Sequence, residues 1–268
     1  MRIILSRKGF DSSYGECPSP ILPDGTLLSL PIPSKNDDVK FSELFYEEKS
    51  YFQIIKDLKS RTKIKEYYTC HLDPDIRDLK IAKDWVPLFG QEGSSQTHLL
   101  NNNVCKGDVF LFFGWFKQTM MEDGKLKYVP GAPDLHIIYG YFQIGEIFDT
   151  YDKIPPEYYY HPHATKKRFE KKSKNCIYKA AEKLSLNSDI SGSGTFRINN
   201  DLILTKRGHS RSQWELPNIF RNVKISHHTK KSFKKGCFDS AKIGQEFVIE
   251  ENKNIEKWAL NIINKGIN

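Results

Sequence analysis

The chain has 268 residues, of which 38% are hydrophobic and 28% are charged, and its formal net charge is +8 at pH 7. A chain of this length buries roughly three quarters of the surface that it exposes when unfolded, so it can form a substantial core. No apolar run approaches the roughly 20 residues of a membrane span, and the apolar part of the N-terminus is too short for a signal peptide. We therefore expect a cytoplasmic protein that does not associate with a membrane.

Cysteine usage and the distribution of charge narrow the class further. The five cysteines are widely spaced and odd in number, which argues against a disulfide framework and favours a reducing compartment. The positive charge lies mainly in the segments 166–174, 206–211 and 230–235. Such a surface attracts phosphate groups, although a lysine-rich surface that contacts only solvent would have the same composition. Both interpretations stay open.

The first predicted strand covers residues 2–5, and a dense run of polar residues follows it at once. Polar groups at a strand end are where sheets commonly present their chemistry. Arg7 and Lys8 suit a phosphate group, and Asp11 suits acid–base or metal chemistry. An ordinary exit from the strand, with Asp11 or Ser12 capping a turn, is the alternative. The candidate substrate-binding residues of this segment are Ser6, Arg7, Lys8 and Ser12.

A helix is predicted over residues 41–59, because apolar residues recur there at spacings of three, four and seven. Ser42 or Asp38 is the expected cap. A strand then leads into the segment YYTCHLDPD. Alternate residues of a strand face the same way, so His71 and Asp73 share one face, and this pair suits a divalent metal or acid–base catalysis. The structural alternative is a helix start in which Asp73 is the cap.

Residues 89–99, FGQEGSSQTHL, are predicted to form a glycine-containing loop rich in amide and hydroxyl groups. Gln91, Gln96 and His98 could hydrogen bond to the edge of a base or a sugar, a chemistry that rejects analogues lacking those groups. The loop lacks the GxxxxGKS pattern, which excludes a P-loop.

The most apolar part of the chain is the segment 104–147, around which we expect the rest to pack. Two runs, 109–116 and 137–147, combine aromatic and branched residues over strand-like lengths, which favours strands buried on both faces. Between them, Asp123 and Gly124 predict a hairpin, because both central residues of a type I′ turn need a positive φ.

The later part of the chain predicts less chemistry. His161 and His163 form a His-x-His pair, which can hold a metal, but no cysteine or third histidine lies at close spacing, so we assign no metal ligands here. A basic helix is predicted over residues 166–184, and a closing helix over residues 256–263.

Several of these motifs carry a resemblance to a known family. MRIILSRKGFDSS, CPSPILPDGTLLSLPIP, HLDPD, LFGQEGSSQTHL, GDVFLFFGWF, YGYFQIGEI, ISGSGTF and the terminal GQEFV with its tryptophan helix resemble the bacterial and phage nucleotide modification associated domain 3 family. The resemblance runs over nearly the whole chain and implies one domain, residues 1–268. It also implies association with DNA base modification and its conflict with phage defence. Separately, GDVFLFF followed by YGYFQIGEI is similar to the core of PUA-like β-barrels, including the ASCH and EVE groups, which bind nucleotides or modified bases.

Together these observations predict an α+β fold, with a central, partly closed β-barrel or bent mixed sheet flanked by helices. Our leading hypothesis is an enzyme that acts on a nucleotide or a DNA base, with Asp11, His71 and Asp73 as candidate catalytic residues. The alternative is a non-catalytic reader, in which Trp115 stacks on a modified base. A third hypothesis is a structural partner within a defence complex. The sequence names no metal or other cofactor; the expected partners are a nucleotide or DNA and partner proteins of such a system.

Overall fold

The computed structural model describes residues 1–171 and 174–267. Its strands are Ile3–Arg7 (β1), Ser19–Ile21 (β2), Ile32–Pro33 (β3), Phe45–Tyr46 (β4), Lys49–Ser50 (β5), Cys70–His71 (β6), Leu88–Glu92 (β7), Val109–Glu122 (β8), Lys125–Tyr128 (β9), Leu135–Phe148 (β10), Asn175–Ala180 (β11), Lys183–Leu184 (β12), Asn187–Ser191 (β13), Ser193–Thr195 (β14), Gln213–Trp214 (β15), Phe233–Lys234 (β16), Cys237–Asp239 (β17) and Glu246–Ile249 (β18). The α-helices are Tyr51–Leu58 (α1), Gly93–Asn101 (α2), Lys166–Glu170 (α3) and Lys253–Ile267 (α4). Single turns of 3-10 helix cover Tyr151–Lys153, Pro156–Tyr158, Asn200–Leu202, Asn218–Asn222 and Lys230–Ser232.

A large mixed sheet forms the centre of the molecule. Its main path runs β18, β1, β8, β10, β11, β7, and β2, β9 and β14 pair beside this path. Strand β8 is parallel to β1 and β2 but antiparallel to β10. The α+β class and the mixed central sheet are therefore confirmed. The sheet path is open at β18 and β7, and the described strands form no closed barrel.

Strands β8 and β10 form the core that the apolar runs predicted. Residues 109–113 are all fully buried, so both faces of β8 are covered. Phe89 on β7 packs its ring against Phe110 and Phe112, with centroids 4.8 and 5.2 Å apart. The hairpin prediction is also confirmed: β8 turns into β9 at Asp123 and Gly124, whose φ angles are 50° and 71°. Within the described residues, no helix combines the length and the apolar character needed to cross a membrane.

The helix predicted over residues 41–59 is wrong in its first half. Strands β4 and β5 form a hairpin there, and α1 begins only after Ser50, whose side chain accepts a hydrogen bond from the backbone N–H of Gln53. The Gln53 side chain in turn accepts from the Ser50 N–H, so these two residues, rather than Ser42 or Asp38, cap the helix. Short strand β3 pairs with β6, and this pairing places Ile32 opposite His71.

The basic helix predicted over residues 166–184 is also wrong. Helix α3 ends at Glu170, and the chain continues as β11, which lies between β10 and β7 and is almost entirely buried. Residue Lys172 of the predicted basic segment lies outside the described residues. The closing helix is confirmed and extends further than predicted, because α4 packs Ile255, Ala259 and Ile263 into the core.

Candidate functional site

The polar strand ends of the first hundred residues meet at one open pocket. Its volume is about 440 Å³. Six of the residues that the sequence singled out line it: Arg7, Lys8, Asp11, His71, Asp73 and Gln91. They come from the end of β1, from β6 and the residues after it, and from β7. His163 and Lys242 line the same pocket.

Two histidines face each other at this pocket. The Nε2 atoms of His71 and His163 lie 3.0 Å apart. The Nδ1 atom of His71 lies 2.8 Å from a carboxylate oxygen of Asp37, and that of His163 lies 2.8 Å from the side-chain oxygen of Asn175. Burial lowers the pKa of His163 well below its usual value, against the opposing charge of Asp73. Each ring is therefore held in orientation through its far nitrogen.

Asp37 and Arg168 form a buried ion pair behind His71. An Nη2 donor of Arg168 lies 2.9 Å from Asp37, and its Nη1 lies 2.8 Å from Glu92. Burial raises the pKa of Asp37, but hydrogen bonds from His71 and the charge of Arg168 outweigh burial and hold this pKa below its usual range. Arg168, which the sequence assigned to a basic surface, therefore points inward and supports the site.

Asp73 lies beside the two histidines as a buried carboxylate. Its Oδ1 accepts a hydrogen bond of 2.6 Å from the Gly90 N–H, and Nε2 of His161 lies 3.5 Å from the same oxygen. Burial raises the pKa of Asp73, but His161, His163 and Lys8 outweigh it, so the pKa falls below its usual range. The structure thus places Asp73 in the pocket and not at a helix start. Burial lowers the pKa of His161.

Gly90 is required by this packing. A Cβ built on Gly90 would lie 2.2 Å from the ring of His163, which is itself buried. The missing side chain lets the histidine ring lie directly on β7, while the Gly90 N–H binds Asp73. Gly90 thus brings His163 and Asp73 together.

A buried polar network lies next to the histidines. Nζ of Lys8 lies 3.1 Å from Oε1 of Glu246, and Nε2 of Gln91 donates to the same oxygen at 2.6 Å. The Lys8 ammonium also lies 4.6 Å from the centroid of the Phe89 ring. The amide oxygen of Gln91 accepts from the Glu92 N–H. Gln91 is therefore fixed by the protein on both sides of its amide.

The loop predicted over residues 89–99 is wrong. Gly93, with a φ of 65°, carries the chain from β7 directly into α2. Gln91 stays on the strand and lines the pocket, whereas the helix turns Gln96 and His98 away from it. Gln96 accepts a hydrogen bond from the Tyr178 hydroxyl, and His98 contacts the Ser226 hydroxyl at 2.9 Å.

Of the other candidates at the end of β1, Ser6 lies in the core and Asp11 lies at the pocket. Ser6 is fully buried in β1 and is not among the residues that line the pocket. Oδ1 of Asp11 accepts from the backbone N–H groups of Ser13 and Tyr14, so Asp11 caps its own loop while it lines the pocket. The turn cap that the sequence offered for Asp11 is therefore confirmed, and its part in chemistry stays a prediction.

A second lobe of about 390 Å³ adjoins the pocket and contains Ser12 and Trp115. Arg7, Asp11, Ser13 and Lys242 line both cavities. The guanidinium carbon of Arg211 lies 4.2 Å from the centre of the Trp115 ring, and Arg211 also donates to the Ser12 hydroxyl at 3.0 Å. An aromatic face and a basic rim thus stand together at this lobe.

His136 lines the second lobe. Because its imidazole is buried, we expect it to make the stability of the protein depend on pH. Burial lowers its pKa from 6.5 to about 3, and the charges of Arg7 and Arg211 add to this shift. Between pH 6.5 and about 3, the folded protein binds fewer protons than the unfolded chain, so the free energy of unfolding falls as the pH falls. We expect the pH slope of the unfolding free energy to flatten by up to about 1.4 kcal/mol per pH unit in His136→Gln.

Urea unfolding at about pH 7 and pH 5 measures that slope. Glutamine still offers the Trp214 indole an acceptor, which in the wild type is Nδ1 of His136 at 3.0 Å. His209→Gln, at an exposed histidine, is the matched control and should keep the wild-type slope. An unchanged slope in His136→Gln would show that this histidine does not contribute to acid sensitivity.

Sequence reasoning missed the residues that hold the site from behind. Asp37, Asn175 and Glu246 bind His71, His163 and Gln91, from which they are separated by 34, 12 and 155 residues. None of the three belongs to a short motif, so no local signal marked them. His163 had a signal in its His-x-His pair, but the sequence did not show that its partners would be His71 and Asp73.

A known protein family matches most of the chain. The family model described as Nucleotide modification associated domain 3 matches residues 2–250. No curated protein and no solved structure matches the chain. The match covers all the elements that build the pocket. The chain therefore belongs to the nucleotide modification associated domain 3 family, as its motifs predicted.

Proposed function

We propose that the protein is an enzyme that acts on a nucleotide or on a base of DNA bound in the pocket between β1, β6 and β7. The observation that carries this proposal is the meeting of two histidines and a buried carboxylate with cationic side chains in one cavity of about 440 Å³. That volume lies within the range of small-molecule sites, about 300–1,000 Å³. Titratable groups that converge on one cavity are what catalysis requires.

The chemistry belongs to the histidine side of the pocket. His71 and Asp73 have their polar atoms near one another and near His163, so this side of the pocket can hold a proton or a cation beside the substrate. Asp37 orients His71, and Asn175 orients His163. Asp11, whose Oδ1 is occupied by its own loop, is proposed as a second carboxylate facing the substrate.

The basic side chains of the pocket suit a phosphate group. Arg7 and the exposed Lys242 lie where the two lobes join, and Lys8 lies deeper with Glu246 as its counterion. We assign phosphate binding first to Lys242, because Glu246 neutralises part of the Lys8 charge. Arg7 contributes mainly its positive charge, since its guanidinium already donates to the backbone oxygens of Ala241 and Lys242. Gln91, whose amide is already held by Glu246 and Glu92, fixes the shape of the pocket wall instead of rotating toward different substrates.

A thermal-shift panel of plain and modified nucleotides tests binding. A ligand at a hundred times its dissociation constant stabilises the folded protein by roughly 2.7 kcal/mol, and each kcal/mol raises the Tm of a protein of this size by roughly 2–4 °C. We therefore expect at least one nucleotide to raise the Tm by about 5 °C or more. Lys242→Ala should weaken this shift, whereas Lys235→Ala, at an exposed lysine outside the pocket, should not.

Mass spectrometry of the recovered nucleotide or DNA tests turnover. A changed base or sugar mass that disappears in Asp73→Asn supports the enzyme. A Tm shift that is retained in Asp73→Asn, without any change in mass, would show that the protein is a reader and not an enzyme. If neither free nucleotides nor oligonucleotides raise the Tm, the enzyme and the reader hypotheses are both wrong.

The reader remains the second candidate because of the second lobe. Arg211 lies over the Trp115 ring, and such a cation–aromatic pair offers a flat, positively charged surface on which a base can stack. A reader would also fit the sequence resemblance of GDVFLFF and YGYFQIGEI to PUA-like proteins, including the ASCH and EVE groups. In that case Trp115→Ala should abolish binding, while substitutions at His71 should leave it intact.

The wider setting is part of the same proposal. The family name supports a role in nucleotide modification. We extend it to DNA modification and its conflict with phage defence, in the cytoplasm, with DNA and partner proteins of such a system. We also propose that residues 1–268 fold as one domain.

A further inference from the structure

His71, Asp73 and His163 offer three ligand atoms, one from each residue, that all lie within 4.8 Å of one another. All three residues line the main pocket. From these contacts we propose that they bind a divalent first-row transition metal ion through Nε2 of His71, Nε2 of His163 and a carboxylate oxygen of Asp73. Two histidines and one carboxylate form a facial set that leaves coordination positions open for water or substrate.

The hydrogen bonds of the two rings fix which nitrogens are free. The Asn175 amide donates to the backbone oxygen of His163 at 3.1 Å, so its own oxygen faces Nδ1 of His163. An amide oxygen only accepts, which means that Nδ1 of His163 carries the proton. Asp37 likewise accepts from Nδ1 of His71. In the neutral rings, both Nε2 atoms therefore present lone pairs.

These two Nε2 nitrogens lie 3.0 Å apart. Two acceptors this close repel each other unless a cation lies between them or one ring gains a proton. Metal–nitrogen bonds of about 2.1 Å at a right angle place their nitrogens roughly 3.0 Å apart, whereas a tetrahedral angle places them roughly 3.4 Å apart. The observed separation of 3.0 Å therefore fits two ligands on adjacent positions of one metal ion.

The surroundings match those of metal-binding histidines. Such histidines almost always donate their second N–H to a carboxylate or another oxygen, which fixes the ring. Asp37 does this for His71, and Asn175 does it for His163. Gly90 and His161 converge on Oδ1 of Asp73, which would leave Oδ2 for the ion. The three proposed ligands and their supports come from five separate segments, so the arrangement is not a product of local sequence.

This inference deepens the proposed function and rests on it for the use of the pocket, but its test needs no nucleotide. Purified full-length protein is stripped with a chelator and titrated with Co²⁺ by calorimetry. We expect one equivalent to bind and to raise the Tm. Asp73→Asn should weaken binding at least as much as the 10- to 100-fold typical of a lost supporting residue. Asp37→Asn, which keeps all three ligands, should weaken it by about 10- to 100-fold.

His227→Gln is the matched control, since His227 and His98 form another close histidine pair, with ring centroids 4.2 Å apart. It should bind Co²⁺ like the wild type. X-ray absorption of the Co²⁺-loaded wild type needs no variant and should show two imidazole ligands. Failure to bind one equivalent, a spectrum without imidazole, or unchanged affinity in Asp73→Asn would overturn the metal site. The 3.0 Å contact would then be a hydrogen bond between the two rings, and the nucleotide experiments would still decide the proposed function.

Discussion

Replacing Phe112 by alanine is expected to destabilise the protein by about 3–5 kcal/mol, the range for truncating a fully buried phenylalanine. Phe112 lies in the middle of β8 with no exposed surface. Its ring contacts those of Phe89, Phe110 and Phe142, with centroids 5.2, 5.9 and 6.3 Å away. Because these neighbours belong to three strands that are fixed by the sheet, the core cannot close the cavity.

Urea unfolding gives the change in free energy, and a thermal scan should show a Tm lower by roughly 6 °C or more. Phe45→Ala is the control, since half of the Phe45 side chain is exposed, and its effect should stay within about 0.5 kcal/mol. A loss in Phe112→Ala no larger than in the control would mean that the aromatic cluster repacks freely.

The parts of the fold that the sequence predicted are those governed by local rules. Strand composition in the segments 109–116 and 137–147 and the turn residues Asp123 and Gly124 act over a few neighbours, so the central hairpin was predictable. The helix errors have a local cause too. Apolar residues at 41–59 have helical spacing, but Glu47 adopts a positive φ of 52° and the chain forms a hairpin before α1.

The site was predictable only where its residues follow a strand. Asp11 was singled out because it follows a strand end, and His71 and Asp73 because alternate residues of a strand share one face; all three line one pocket. Sequence alone could not show that α2 begins at Gly93 and turns Gln96 and His98 elsewhere. Nor could it pair His71 with His163 across 92 residues, since that contact depends on the order of β7 and β11 in the sheet.

Replacing Gly90 by alanine is expected to destroy the site, with a larger effect on ligand binding than on the fold. The added Cβ would lie 2.2 Å from the His163 ring, which is buried and held by Asn175. Either the ring moves away from His71, or β7 shifts and breaks the hydrogen bond from Gly90 to Asp73. Overpacking of this kind typically costs about 1–3 kcal/mol. Binding of Co²⁺ and of any nucleotide found in the panel should be lost.

Gly145→Ala is the matched control. Its Cβ would lie 2.7 Å from the backbone of Ala181, so it overpacks the same sheet at a position outside the pocket lining. It should lose stability to a comparable extent and still bind. Normal binding by Gly90→Ala would contradict the assignment of the site to this face of β7.

A double mutant separates the steric cause from general damage. Removing the ring in Gly90→Ala/His163→Ala takes away the atoms that the new Cβ would meet. The double variant should therefore lose less stability than the sum of the two single variants, by at least about 1 kcal/mol, as expected for residues in direct contact. Urea unfolding of all four proteins measures this coupling. Strictly additive losses would mean that the Cβ added at Gly90 does not meet the His163 ring. Strand β7 would then not position His163 as described.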